Sequence, residues 1–200
     1  MSSQWVRALT GLAGLLGLLV VAACGGANPS PDLSSPVSSP RPAGPALPPR
    51  PLDLTLGGID PCSLLTGAQR GQLGVNQGVP AHGSESSPLK GDSCAWSNLP
   101  ERPDNAWLGR VVLGQGAEFA LGLEPLRTVS GYAATTTGSV GTDSNYYCLM
   151  LVDVAPGQSL LAQYGNGAKD YPGMNHQLAC DKAQQLASDM LSTLRSIKRR

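Results

Sequence analysis

A chain of 200 residues, 41% of them hydrophobic, suffices for one ordinary domain with appendages and is too short for a large multi-domain enzyme. Its 14 Lys and Arg balance 14 Asp and Glu. No basic field exists to hold a phosphate backbone, so nucleic acid is excluded as an expected partner.

Residues 1–23 read as a targeting segment. Arg7 supplies a sparse positive start, and Leu9 to Ala23 form an apolar stretch shorter than the roughly 20 residues a membrane span needs. The run ends in Val21-Ala22-Ala23-Cys24. That tetrapeptide resembles the bacterial lipobox, in which an aliphatic residue and two small ones precede a cysteine that is acylated before cleavage in front of it. The resemblance implies a diacylglycerol on Cys24; two chains, at about 0.8 kcal/mol per buried CH2, hold a protein on a bilayer where one is marginal. The expected location is the extracytoplasmic face of the cell membrane, with the bilayer a partner through Cys24. A plain signal peptide with an incidental cysteine is the competing reading.

Residues 24–57 are dense in Pro and Ser and nearly free of aromatics, so they bury too little apolar area to offset their ordering entropy and read as a tether. About 30 such residues reach ~30 Å as a coil and ~100 Å as polyproline II. The folded unit is expected over residues 58–200. In "GIDPCSLLTGAQRGQLG", Asp60 stands at an N-cap, Pro61 at the first helical position and Gly74 at a stop, which predicts a short helix over Pro61–Leu73. "NQGVPAHGSESSPLKGDS" reads as a loop. "SCAWSNL" and "AWLGRVVLGQG" read as strands joined by "PERPDN", and "AEFALGLEPLR" as a short helix broken at Pro125. "GYAATTTG" and "NYYCLMLVDVAPGQSLLAQYG" supply further strands. From Tyr146 to Val154, Cys148, Met150, Val152 and Val154 share one face while Leu149 and Leu151 share the other, as in a strand inside a sheet. Ala179, Ala183, Leu186, Met190, Leu194 and Ile197 then recur at three and four residues, which marks one buried helical stripe. Asn175 caps its start, and Lys198, Arg199 and Arg200 suit its negative end.

Helix, strands, helix in that order predicts an α+β fold, an antiparallel sheet packed against a short N-terminal helix and a long C-terminal one. Export gives the remaining cysteines, Cys62, Cys94, Cys148 and Cys180, an oxidising context, and their even number reads as two disulfides. No C-x-x-C pair or neighbouring histidine points to a metal, and no cofactor is expected. Cys62 falls on the first helix and Cys94 on the first strand; Cys148 falls on an inner strand and Cys180 on the last helix. Cys62–Cys94 and Cys148–Cys180 would each staple a helix to the sheet, at about 3–4 kcal/mol apiece in the chain-entropy model; the other two connectivities stay open. Trp96, on the Cys94 face, is expected to pack on that disulfide. An immunoglobulin-like sandwich is disfavoured by the strong helical period around Cys180.

The lipobox, the tether, "DPCSLLT", "CAW" some thirty residues later, "YYCLMLV" and "ACDKAQQLASDML" together resemble the actinobacterial lipoproteins grouped as domain of unknown function (DUF) 3558, over about Ile59 to Leu194. The resemblance implies an exported lipoprotein and carries no activity. No G-x-S-x-G or H-E-x-x-H motif is present. His82 and His176 are expected to be bland surface residues. The threonines of "ATTTG" are candidates for an exposed strand, and Tyr146, Tyr147, Tyr164 and Tyr171 for a groove or for the core. The expectation is a binding or sensing module for a cell-envelope ligand or protein. A cell-envelope hydrolase of Ser/Thr–His type and an accessory structural lipoprotein of an envelope complex are the alternatives.

Overall fold

The computed structural model describes residues 46–82, 89–98, 105–140, 146–166 and 173–199. Seven strands form one antiparallel sheet: β1 Val79–His82, β2 Asp92–Ser97, β3 Asn105–Leu113, β4 Arg127–Val129, β5 Tyr132–Val140, β6 Tyr146–Ala155 and β7 Gln158–Asn166, in the spatial order β1-β2-β3-β7-β6-β5-β4. A short helix α1, Gly67–Leu73, and a long helix α2, His176–Lys198, complete the α+β fold. Both expected disulfides form, Cys62–Cys94 and Cys148–Cys180.

The period-2 pattern of β6 sorts its residues as read. Cys148, Met150, Val152 and Val154 join Trp96, Trp107, Val111, Leu160, Ala162 and Tyr164 in the larger core, and Leu151 joins Val112 and Leu161 in a smaller core on the opposite face. Helix α2 lies over β6 and β7 on the larger-core side. Its stripe from Ala179 to Leu194 is fully buried, and each leucine so placed contributes about 1.5–3 kcal/mol. Asn175 caps the helix by accepting from the Leu178 N–H at 2.8 Å. Trp96 is buried on the Cys94 face, and Gly78 lies so close that a Cβ there would collide with Cys94 Sγ and the indole.

Four local readings need correction. The expected helix Pro61–Leu73 is two elements: a 3-10 turn, Pro61–Leu64, capped by Asp60, and then α1. The break at Leu65 and Thr66 follows from Thr66, whose hydroxyl accepts from Gln69 N–H while Gln69 returns to the Thr66 N–H, a capping box that restarts the chain. The expected loop after α1 contains β1, held by its ladder to β2 despite Pro80, which an edge strand tolerates. "AEFALGLEPLR" yields only a 3-10 turn, Ala117–Ala120, because Gly122 has φ +86° and Pro125 follows. The core also begins ahead of Gly58, inside the expected tether: Leu54 and Leu56 are fully buried, and Leu54 N–H donates to Val154 O at 2.7 Å. Cys24, most of the tether, the β2–β3 connection and Tyr171 lie outside the described residues.

Candidate functional site

The connection from β3 to β4, residues 114–126, leaves the middle of the sheet and reaches its far edge. Two buried hydroxyls fix its backbone on the smaller-core face. Ser159 Oγ donates to Gln115 O at 2.9 Å, and Thr135 Oγ1 donates to Ala117 O at 2.7 Å. Ala117 and Ala120 fill the smaller core. The crossover then wraps the edge of β5: Glu124 accepts from Thr136 Oγ1 at 2.7 Å on the α2 side of the sheet. Two of the three threonines offered as candidates for an exposed strand are thus buried, Thr135 and Thr136 each 1% exposed and each bonded to this segment, while Thr137 is half-buried.

A platform pinned in this way leaves its large apolar residues facing outward. Six large hydrophobic residues are exposed among the described ones, and four lie here: Leu113 (49%), the last residue of β3, and Phe119 (45%), Leu123 (63%) and Leu126 (43%) in the crossover. Single exposed leucines need no explanation, but four large apolar side chains exposed within fourteen residues, on a backbone held by buried hydrogen bonds, are a local concentration of exposed apolar area. Their chemistry is contact without reaction.

Beside this surface Glu124 ties the crossover to the first residue of α2. Its Oε1 lies 3.0 Å from His176 Nε2, which is itself 3.6 Å from Cys180 Sγ. A carboxylate only accepts, so Nε2 carries the proton. Nδ1 is buried with no hydrogen-bond partner, which a bare lone pair tolerates better than an N–H does. His176 is therefore a half-buried clasp and departs from the bland surface role expected of it; of His82 only the backbone is described, at the end of β1.

This cluster does not assemble into chemistry. A nucleophilic triad needs the imidazole between hydroxyl and acid, whereas here the carboxylate stands between Thr136 and His176, and Thr136 is buried. Glu124, His176 and Cys180 bring three ligand atoms within 4.8 Å of one another. Cys180 is held in a disulfide, and a metal requires its thiolate.

Three grooves lie elsewhere among the described residues, one of about 370 Å³ along α2 at Asp181, Gln185 and Asp189 and two beside residues 46–52. One, of about 390 Å³, runs between Ala46–Arg50 and Glu118, Asp153 and the β6–β7 turn. Arg50 closes it, donating to Asp53 at 2.8 Å and to buried Asp153 at 2.7 Å. Those two hydrogen bonds raise the guanidinium's pKa further, so Arg50 acts as a permanent strap. The second, of about 220 Å³, lies between Pro51–Leu52 and the end of α2. Tyr164 packs edge-on against Trp107 at 4.6 Å and belongs to the core, while Tyr146 is partly buried beside it. The four disulfide cysteines act as staples, Cys180 of them 3.6 Å from His176 beside the crossover, and Cys24 lies outside the described residues.

The crossover residues Phe119, Leu123, Glu124 and Leu126 were not legible as a site: Phe119, Leu123 and Leu126 stand four and three residues apart, a helical spacing that reads as a buried stripe, whereas the chain forms only a 3-10 turn, Ala117–Ala120, and leaves them exposed. Among the described residues no helix is long and apolar enough to cross a membrane. A family model described as "Protein of unknown function (DUF3558)" matches residues 19–193. No curated protein and no solved structure matches.

Proposed function

The chain belongs to the DUF3558 family, proteins of unknown function, and from that premise we propose that it is a lipid-anchored extracytoplasmic docking module whose crossover, Leu113–Leu126, binds another protein of the cell envelope. Cys24 fastens the chain to the membrane through its acyl chains, and the proline-rich segment lets the stapled domain stand off the bilayer. The observation that carries the binding role is the concentration of exposed Leu113, Phe119, Leu123 and Leu126 on a backbone pinned by Thr135 and Ser159. Such a surface suits a protein partner better than a small ligand, because the exposed apolar side chains line none of the three grooves.

An accessory role in a larger envelope complex uses the same surface. The hydrolase alternative gains no support from His176, whose carboxylate partner among the described residues, Glu124, stands between it and the Thr136 hydroxyl.

A photo-crosslinking side chain placed at Phe119 or Leu123 in the anchored protein, in its own cells, tests the reading. One discrete protein adduct should appear at both positions and be absent for a control at exposed Gln185 on α2. Adducts that are equal at all three positions, or absent from both crossover positions, contradict it.

A further inference from the structure

The described chain has two unlike ends. At one lie the Ser130–Gly131 turn, the Pro156–Gly157 turn and the C-terminus of α2. The chain enters there as well: Ala46 and Leu47 lie against Pro156 and Gly157, twenty-two residues after Cys24. The connections β2–β3, β5–β6 and β7–α2 leave from the opposite end.

The entry end carries the second groove. Its walls are Pro51 and Leu52 on one side and Arg195, Lys198 and Arg199 on the other, with Tyr132 as the floor. Tyr132 donates to Leu52 O at 2.9 Å, and the Arg195 guanidinium lies 5.1 Å from the ring centroid while donating to Ser130 O. These contacts make the groove a built feature. Leu52 projects from it, 60% exposed. Among the described residues three cations line it and no carboxylate does; Asp53 is turned to Arg50.

The geometry points to this end as a contact surface for an anionic phospholipid bilayer, with Leu52 entering the headgroup boundary and Arg195, Lys198 and Arg199 facing lipid phosphates. The inference rests on the anchored reading above. Three features select a bilayer over other occupants: cations unopposed by acid, a projecting leucine between them, and the place where the chain from Cys24 joins the domain. Clustered basic residues at a membrane surface add to a lipid anchor and are weakened by salt. Seated this way, the domain turns its opposite end outward, and the crossover starts near the bilayer, where Leu113 pairs with Gln158, and runs away from it to Glu124 beside His176.

The test uses the mature anchored protein with Leu52→Trp as reporter, on vesicles of phosphatidylcholine alone or with about one-third phosphatidylglycerol, their acyl chains brominated near the headgroup. The emission gained with the introduced indole, read against the parent protein, should be quenched at least ~3-fold more on the anionic vesicles, and the excess should vanish at ~0.5 M salt or in Lys198→Gln/Arg199→Gln. Equal quenching on both vesicles, or an excess that survives the double substitution, overturns the contact. Flotation is recorded separately: a protein that leaves neutral vesicles yet is quenched on anionic ones refutes the anchor and keeps the contact. One that floats with neither refutes both. A shift of the reporter's emission by glycerol phosphate without vesicles, equal to that on anionic vesicles, assigns the groove to a free anion and overturns the bilayer reading.

Discussion

At Gly109 a Cβ would stand 2.5 Å from Met190 Cε, 2.8 Å from its Sδ and 3.0 Å from Trp96 Cζ3, so helix α2 approaches the sheet closely because this position has no side chain. At Gly78 the obstacles are the disulfide sulfur of Cys94 and the buried indole of Trp96. Methionine is flexible and a stapled cysteine is not. Gly109→Ala is therefore expected to cost about 1–2 kcal/mol and Gly78→Ala about 2–3 kcal/mol, the range of overpacked cores. Urea midpoints check the order, and a Gly109 variant that is the less stable of the two contradicts it. Asp189, half-buried on α2, has its pKa raised above 3.8 because burial penalises the charged form. A carboxyl with a raised folded pKa binds its proton more tightly folded than unfolded, so it costs stability once pH rises above 3.8 and nothing well below it. Asp189→Asn should melt higher than the parent at pH 7, with the gain disappearing by about pH 3. A gain that is constant across that range would assign the effect to packing.

Among the elements, α2 was fully legible: its stripe, its Asn175 cap and its place against Cys148 all follow from a period of 3.6 with a capping residue in front. The strand β6 was legible for the same kind of reason. The crossover was not, because residues 114–126 are held by long-range hydroxyl bonds from Thr135 and Ser159 that no local pattern announces. The split of the first helix was legible in principle, since Thr66 and Gln69 have capping-box spacing, but Leu64 and Leu65 carry a helical period across the break. Removing the staple by Cys148→Ser/Cys180→Ser should cost about 2–5 kcal/mol. Removing the clasp by Glu124→Ala should cost only about 1 kcal/mol and speed amide exchange over residues 121–126 without touching α2. Exchange that quickens equally throughout would show that the clasp belongs to the global fold. At the docking surface, Phe119→Ala should lower partner affinity by roughly 30-fold, as for an apolar hot spot, with an unchanged melting temperature.

The whole molecule combines one sheet with two unequal cores. Its larger face is sealed by α2 and two disulfides, and its smaller face is covered by the crossover and by the arriving chain around Leu47. The α+β class and both staples could be read from element order and from which strand face each cysteine shares. The strand order could not, because the pairing of β3 with β7 joins segments about fifty residues apart with no turn between them. Nor could the point where the tether ends, since Leu54 and Leu56 become core residues only once β6 and β7 exist to bury them. The proposed docking surface and the proposed bilayer contact both rest on the proposed attachment at Cys24. The intact mass of the protein extracted from cell membranes without reductant tests that attachment most directly. The account predicts a chain beginning at Cys24, carrying a diacylglycerol, and lighter by the hydrogens lost in two disulfides. A chain that still carries residues 1–23, or that begins at Cys24 without an acyl group, would contradict it.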